Sequence, residues 1–193
     1  MPAAFSEIKD LALARLKGLD VNLSYHNINH TLDVLQQSIR IAKAEDLVGD
    51  EELFLLKVAA LYHDTGFLKI YRGHEKVSCE FFLEDAAGFG LTENQKEIIQ
   101  GLIMATQVPQ KPVGILQKII CDADLDYLAR EDFYRSSDNL RKEFLQYNIV
   151  ANDTEWEELQ LKFFENHHYH TRISKMQREP AKQKHFAELL AHP

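Results

Sequence analysis

Two short stretches of the chain carry residue types that ligate metals, at spacings that bring them together. The first is Tyr25-His26-Asn27-Ile28-Asn29-His30, whose histidines are four residues apart and so stand one turn above each other on a helix. Val34 and Ile41 continue the stripe of His30, which therefore points where core side chains point. The second is His63-Asp64, at the C-terminal end of a stripe made by Leu56 and Ala60. A carboxylate carried inward at that position needs a partner, because burying it unpaired costs on the order of several kcal/mol. A divalent metal would satisfy both groups, since neutral imidazole and carboxylate are the ligands of Zn, Mn, Fe and Mg sites. On spacing alone a second reading stands beside this one. A histidine on an apolar face is more often a core residue satisfied by the protein itself, and His-Asp neighbours also arise by chance.

The elements that must position these residues read as helices nearly throughout. A first amphipathic helix covers 4–16 and is ended by Gly18; a second runs over about 27–44. Asp50 is placed as the N-cap of a third, 51–64, and Gly66 follows it closely. A fourth covers 74–87, closed by Gly88-Phe89-Gly90, and Thr92 with Gln95 has the capping-box spacing that opens a fifth, to about 106. Beyond a connector holding Pro109 and Pro112, helices are expected over 114–128, 132–147, 154–167 (opened by Thr154 with Glu157) and 181–190. No run alternates strictly between apolar and polar residues with β-branched character. The fold class is all-α, with about eight or nine helices.

Composition narrows the function classes. With 193 residues, 45% apolar and 27% charged, the chain can bury one full core without disulfides. Its 22 basic against 30 acidic residues give a net charge of −8, the opposite of what a nucleic-acid or anionic-lipid surface attracts, so neither is an expected partner. Two cysteines make no disulfide framework, and a reduced cytoplasmic compartment is the default expectation. Glu7 and Asp10 interrupt the N-terminal apolar residues, against a signal-peptide core, and no apolar run approaches the roughly 20 residues of a membrane span. Lys69, Arg72 and Lys76, three and four apart, give a local phosphate-binding patch if their segment turns toward the site, and otherwise a solvated face. His167-His168-Tyr169-His170 reads as a surface turn, because adjacent histidines on a helix point different ways. Trp156, Phe163 and Phe164 read as core, and Cys121 as buried and inert.

His30, then His63-Asp64, then an acidic residue of Asp122-Ala123-Asp124-Leu125 form the ordered H…HD…D pattern of the HD-domain metal-dependent phosphohydrolases, which this chain resembles. The segment 25–34 looks like the first motif of cyclic-nucleotide phosphodiesterases, and His63-Asp64-Thr65-Gly66 resembles the HD-x-G turn seen widely in the superfamily. His74-Glu75-Lys76-Val77-Ser78 is similar to the H-E-x-x-S segment of deoxynucleoside triphosphate hydrolases. The resemblance covers 25–128 and implies a compact HD-domain bundle as one domain over 1–193, with a helical C-terminal extension over 129–193.

The resemblance further implies metal ligation by His30, His63, Asp64 and one of Asp122 and Asp124. Those two aspartates lie about 200° apart on a helix and cannot both face one site. Asp124 shares its row with Leu116, Ile120 and Leu128; Asp122 shares its row with Lys118 and Asp126, which read as solvent. Asp124 is therefore the expected ligand. One divalent ion per chain is expected (Mn, Fe, Co, Ni, Zn or Mg), because only His74 lies between the HD pair and Asp124, where two-metal members usually carry more histidines. The implied activity is hydrolysis of a nucleotide or other small phosphate ester by water that the metal acidifies. The expected proton donor is His74, held by Glu75, with His26 as the competing choice. Tyr127 and Arg130 join Lys69, Arg72 and Lys76 as candidate substrate contacts. The chain would act alone or as a homodimer. The rival reading is a catalytically idle HD module that binds a nucleotide as a sensor; an oxygenase comes third, disfavoured by the missing histidines.

Overall fold

The computed structural model describes residues 4–46 and 49–191. Among the described residues, ten α-helices and two 3₁₀ turns follow in order: α1 (Phe5–Leu16), α2 (Ile28–Ala44), α3 (Asp50–Tyr62), a turn at Thr65–Leu68, α4 (His74–Ala86), α5 (Glu93–Ala105), α6 (Ile115–Asp124), a turn at Asp126–Ala129, α7 (Phe133–Gln146), α8 (Asp153–Asn166), α9 (Arg172–Gln177) and α10 (Glu179–Ala191). No strand occurs among the described residues, so the all-α expectation holds. None of these helices is long and apolar enough to cross a membrane.

The organising element is α3. From Leu55 to Tyr62 every residue but Lys57 is buried, so the helix is apolar nearly all round and is enclosed by its neighbours. Val34, Leu35 and Ile41 of α2, Phe82 of α4, Ile99, Leu102 and Ile103 of α5, and Ile119 and Ile120 of α6 complete one core around it. A second cluster joins Leu125, Tyr127, Leu128, Phe133 and Phe164, with Phe186 and Leu189 packed against it. The C-terminal helices therefore close over the turn that follows α6. Between the outer helices, Arg15 of α1 donates to both oxygens of Asp85 on α4 (2.6 and 3.1 Å), and Tyr62 donates to the same carboxylate at 2.9 Å.

Four boundaries differ from the sequence expectation, each for a local reason. Helix α6 stops at Asp124 instead of running to 128, because Leu125 leaves helical geometry (φ −105°, ψ 15°) and a 3₁₀ turn follows. Helix α9 lies outside the expected elements; Thr171 opens it by accepting from the Ser174 N–H at 3.2 Å. Asn152, not Thr154, caps α8 through the Glu155 N–H at 3.0 Å. Gly49 is the cap of α3, and Asp50 is its first helical residue, where its charge still favours the helix N-terminus. The Thr92–Gln95 capping box forms in both directions, at 3.2 and 3.0 Å.

Candidate metal centre

Each ligand-type side chain is aimed by the way its helix starts or stops. Asn27 caps α2 by accepting from the N–H groups of Asn29 (2.9 Å) and His30 (3.4 Å), which fixes the first turn and turns His30 inward. At the end of α3, His63 Nδ1 donates to the Ala60 carbonyl at 2.9 Å. A carbonyl only accepts, so Nδ1 carries the hydrogen and Nε2 presents a lone pair to the site. The following turn is held by Thr65, whose hydroxyl donates to the Tyr62 carbonyl at 2.8 Å.

Gly66 and Ser78 lock that turn to α4. A Cβ on Gly66 would come within 1.9 Å of the His74 carbonyl oxygen, so only glycine lets the two backbones approach. Ser78 is fully buried; it accepts from the Gly66 N–H (2.8 Å) and donates to the His63 carbonyl (2.7 Å). The H-D-x-G and H-E-x-x-S segments are thus two halves of one backbone clamp, which sets His74 beside Asp64.

Around this clamp the imidazoles and carboxylates converge. His30 Nε2 lies 3.2 Å from Asp124 Oδ1 and 3.4 Å from Asp64 Oδ2. His63 Nε2 lies 3.6 Å and 3.2 Å from the same two oxygens. The ligand atoms of His30, His63 and Asp124 all lie within 4.8 Å of one another. His63 Nε2 and Asp64 Oδ2 are buried and have no hydrogen-bond partner of proper geometry, which marks them as atoms prepared for something else. Two neutral imidazole nitrogens and two carboxylate oxygens suit Zn, Mn, Fe, Co or Ni, so the residues present fit a divalent ion. Without one, the charges lean on each other. Burial works to raise the Asp124 carboxyl, but the hydrogen bond with His30 and the nearby His63 imidazole hold it at about 2. Burial opposes charge on His63, yet Asp64 drives its pKa well above the usual range. An ion would replace that proton.

Beside the cluster stand two further imidazoles. His74 Nε2 faces the other oxygen of Asp64 at 3.3 Å, and its Nδ1 donates to the Tyr71 carbonyl at 3.1 Å. Glu75 lies farther off, 3.8 Å from His74 Nε2, with its Oε2 buried and unpartnered. His26 gives its Nδ1 hydrogen to Glu143, a fully buried carboxylate on α7. Glu143 also accepts from the N–H groups of Tyr25 (2.8 Å) and His26 (3.0 Å) and from the Tyr71 hydroxyl (2.7 Å). Burial disfavours the His26 cation, but the Glu143 charge outweighs it and raises the pKa. Phe67 stacks on both rings, at 3.8 Å from His74 and 4.3 Å from His26. Sequence reading misses Glu143. It lies three residues after Leu140 in a charged helix, and nothing local distinguishes it from a solvated acid.

Other candidate residues fall elsewhere. Asp122 and Asp126, expected to face solvent from their helical row, are both fully buried. Asp122 accepts from the N–H groups of His170 and Thr171 (both 2.8 Å) and from the Thr171 hydroxyl (2.7 Å), and so anchors the start of α9. Asp126 is held by Arg40 (2.7 Å) and by both ends of Arg178 (2.8 Å each). The side chains of Lys69, Arg72 and Lys76 make no hydrogen bond or ion pair with the cluster among the described residues: all three are exposed, and the Lys69 ammonium sits 4.6 Å from the Phe81 ring centre. Tyr127 is buried against Tyr25, whose ring lies 4.6 Å from that of His30. The 167–170 segment is only partly a surface turn. Tyr169 is fully buried and His167 is tied to the buried Lys182, while His168 stays exposed.

Fold and site together define a helical bundle whose histidine–aspartate cluster is able to hold a divalent ion. The HD domain family matches residues 27–128, more than half of the chain, and the chain belongs to that family. No curated protein and no solved structure showed significant similarity to it. His26 and Glu143 both lie outside the matched segment.

Proposed function

We propose that the protein is a metal-dependent phosphohydrolase acting on a nucleotide or other small phosphate ester. The observation that carries this reading is an imidazole next to the metal cluster, His26, held by the buried carboxylate of Glu143. A module that only senses a ligand has no need of a cationic imidazole whose stabilisation requires burying a carboxylate.

His30, His63, Asp64 and Asp124 would hold the ion. When bound, it neutralises charge on a phosphoryl oxygen and acidifies a water molecule. The remaining work falls to the chain's own side chains. Glu143 fixes the His26 ring through Nδ1 and favours its charged form, leaving Nε2–H to protonate the leaving oxygen. His74 is less suited to that role, because its Nε2 already faces Asp64 Oδ1 and its ring is set by the Tyr71 carbonyl rather than by Glu75. It positions Asp64. Phe67, stacked against both imidazoles, keeps water from their flanks.

Metal analysis of purified protein, followed by phosphate release from a panel of phosphate esters with Mn, Co, Mg and Fe, tests the proposal. Turnover abolished by a chelator and restored by metal is expected. Stoichiometric metal and tight nucleotide binding without turnover of any ester would favour the sensor instead.

A further inference from the structure

We infer that this site takes esters containing a single phosphorus atom and discriminates against di- and triphosphate chains; the inference rests on the phosphohydrolase reading above. A terminal phosphate carries roughly 1.5–2 negative charges, and each further phosphate adds about one more. Sites that grip a polyphosphate therefore supply Arg or Lys forks in addition to metal.

Here the guanidinium groups of Arg130, Arg40 and Arg178 are already paired with carboxylates. Arg130, six residues after Asp124, donates Nη1 to both oxygens of Asp33 (2.8 and 2.7 Å) and Nε and Nη2 to Asp132 (2.9 and 3.0 Å). Arg40 and Arg178 converge on Asp126. Lys69 lies against Phe81, and Arg72 and Lys76 are exposed with no polar contact to any residue of the site among the described residues. The groups assembled around the cluster are instead four carboxylates (Asp64, Asp124, Glu75 and Glu143), four imidazoles, and the aromatic rings of Phe67, Tyr25 and Tyr127.

One dication, even with His26 charged, does not fully offset the site's own four carboxylates. One phosphoryl group can still be served, its oxygens met by the ion and by the His26 edge. A chain of two or three would place its remaining charge among carboxylates and phenols, where like-charge repulsion is unscreened. The H-E-x-x-S likeness to triphosphate hydrolases does not count against this, because Ser78 is consumed in the backbone clamp and Lys76 is turned to solvent.

The experiment compares adenosine 5′-monophosphate, 3′,5′-cyclic monophosphate, diphosphate and triphosphate as substrates of the wild-type protein in excess Mn²⁺. Inorganic phosphate and tripolyphosphate are compared as competitive inhibitors. The monophosphate or the cyclic diester is expected to exceed the triphosphate in kcat/KM by about 100-fold or more, and the two arms identify which ester class is used. Tripolyphosphate should inhibit no more tightly than phosphate. Triphosphate turnover within about tenfold of the best ester, or tripolyphosphate binding about 100-fold tighter than phosphate, overturns the inference and leaves the phosphohydrolase reading standing. No turnover of any compound by metal-loaded protein overturns both.

Discussion

At the scale of single residues, the two aspartates two positions apart on α6 have opposite duties. Asp124 meets His30 and His63, while Asp122 faces away and collects three hydrogen bonds from the start of α9. Asp124→Ala, His63→Ala and Asp64→Ala should each abolish stoichiometric metal binding. Asp122→Ala should keep the metal yet lose about 3 kcal/mol of stability, because buried N–H donors are left unpaired. Metal analysis beside thermal melts separates the cases; loss of metal in Asp122→Ala would reverse the assignment. The choice between these aspartates was legible from helical rows, although its premise was wrong: Asp122 is as fully buried as the core residue Ile120. A row that joins Lys118, Asp122 and Asp126 looks like solvent, and only the tertiary partners Thr171, Arg40 and Arg178 reveal it as interior. Glu143 is the second residue to test. Glu143→Gln should retain metal and lower kcat roughly 10–100-fold on a poor leaving group, with KM little changed. The loss should shrink on p-nitrophenyl phosphate, whose leaving group needs little protonation; an equal loss on both esters would make Glu143 a purely structural acid.

At the scale of elements, the site depends on where helices end more than on what they contain. The end of α3 delivers His63 and Asp64, and the clamp of Gly66 with Ser78 brings α4 against it. Helices α2 to α5 were legible because their caps and apolar stripes are local signals, as the Thr92–Gln95 box illustrates. The end of α6 and the existence of α9 were not. Both are fixed by Asp122 and Asp126 reaching partners across about fifty residues of sequence, which no local pattern encodes. Gly66→Ala should therefore act on an element instead of a contact. Its methyl group would meet the His74 carbonyl oxygen at 1.9 Å, backbone against backbone, so α4 must shift away from the HD turn. The expected result is a loss of at least about 3 kcal/mol, together with weakened metal binding, since Asp64 sits in the displaced turn. Ser78→Ala, which removes a partner without adding bulk, should cost about 1–3 kcal/mol and leave metal affinity closer to wild type. Equal melts for Gly66→Ala and wild type would show that the turn can open without consequence.

At the scale of the whole molecule, the pair His26–Glu143 joins the residue just before the HD segment to a helix beyond it, so its titration reports on how the parts hold together. Glu143 is held below its usual range: burial works against this, but His26 outweighs it. A depressed carboxylate contributes stability that is present above its unfolded pKa and lost as pH falls through the folded value. His26 is raised, so its contribution is complete below an unfolded pKa near 6.5 and disappears as pH rises through the higher folded value. Together they contribute most between mildly acidic and neutral pH, with one loss on each side. The His63–Asp64 cluster titrates in the same directions when metal is absent, so wild-type melts alone would not isolate the pair. The informative quantity is the stability difference between wild type and Glu143→Gln, measured in chelator from about pH 4 to about pH 9. That difference should be largest at about pH 5–7 and should narrow toward either end. A difference that stays constant across the range would mean that Glu143 joins α7 to the HD segment by packing and neutral hydrogen bonds alone, without a charged His26.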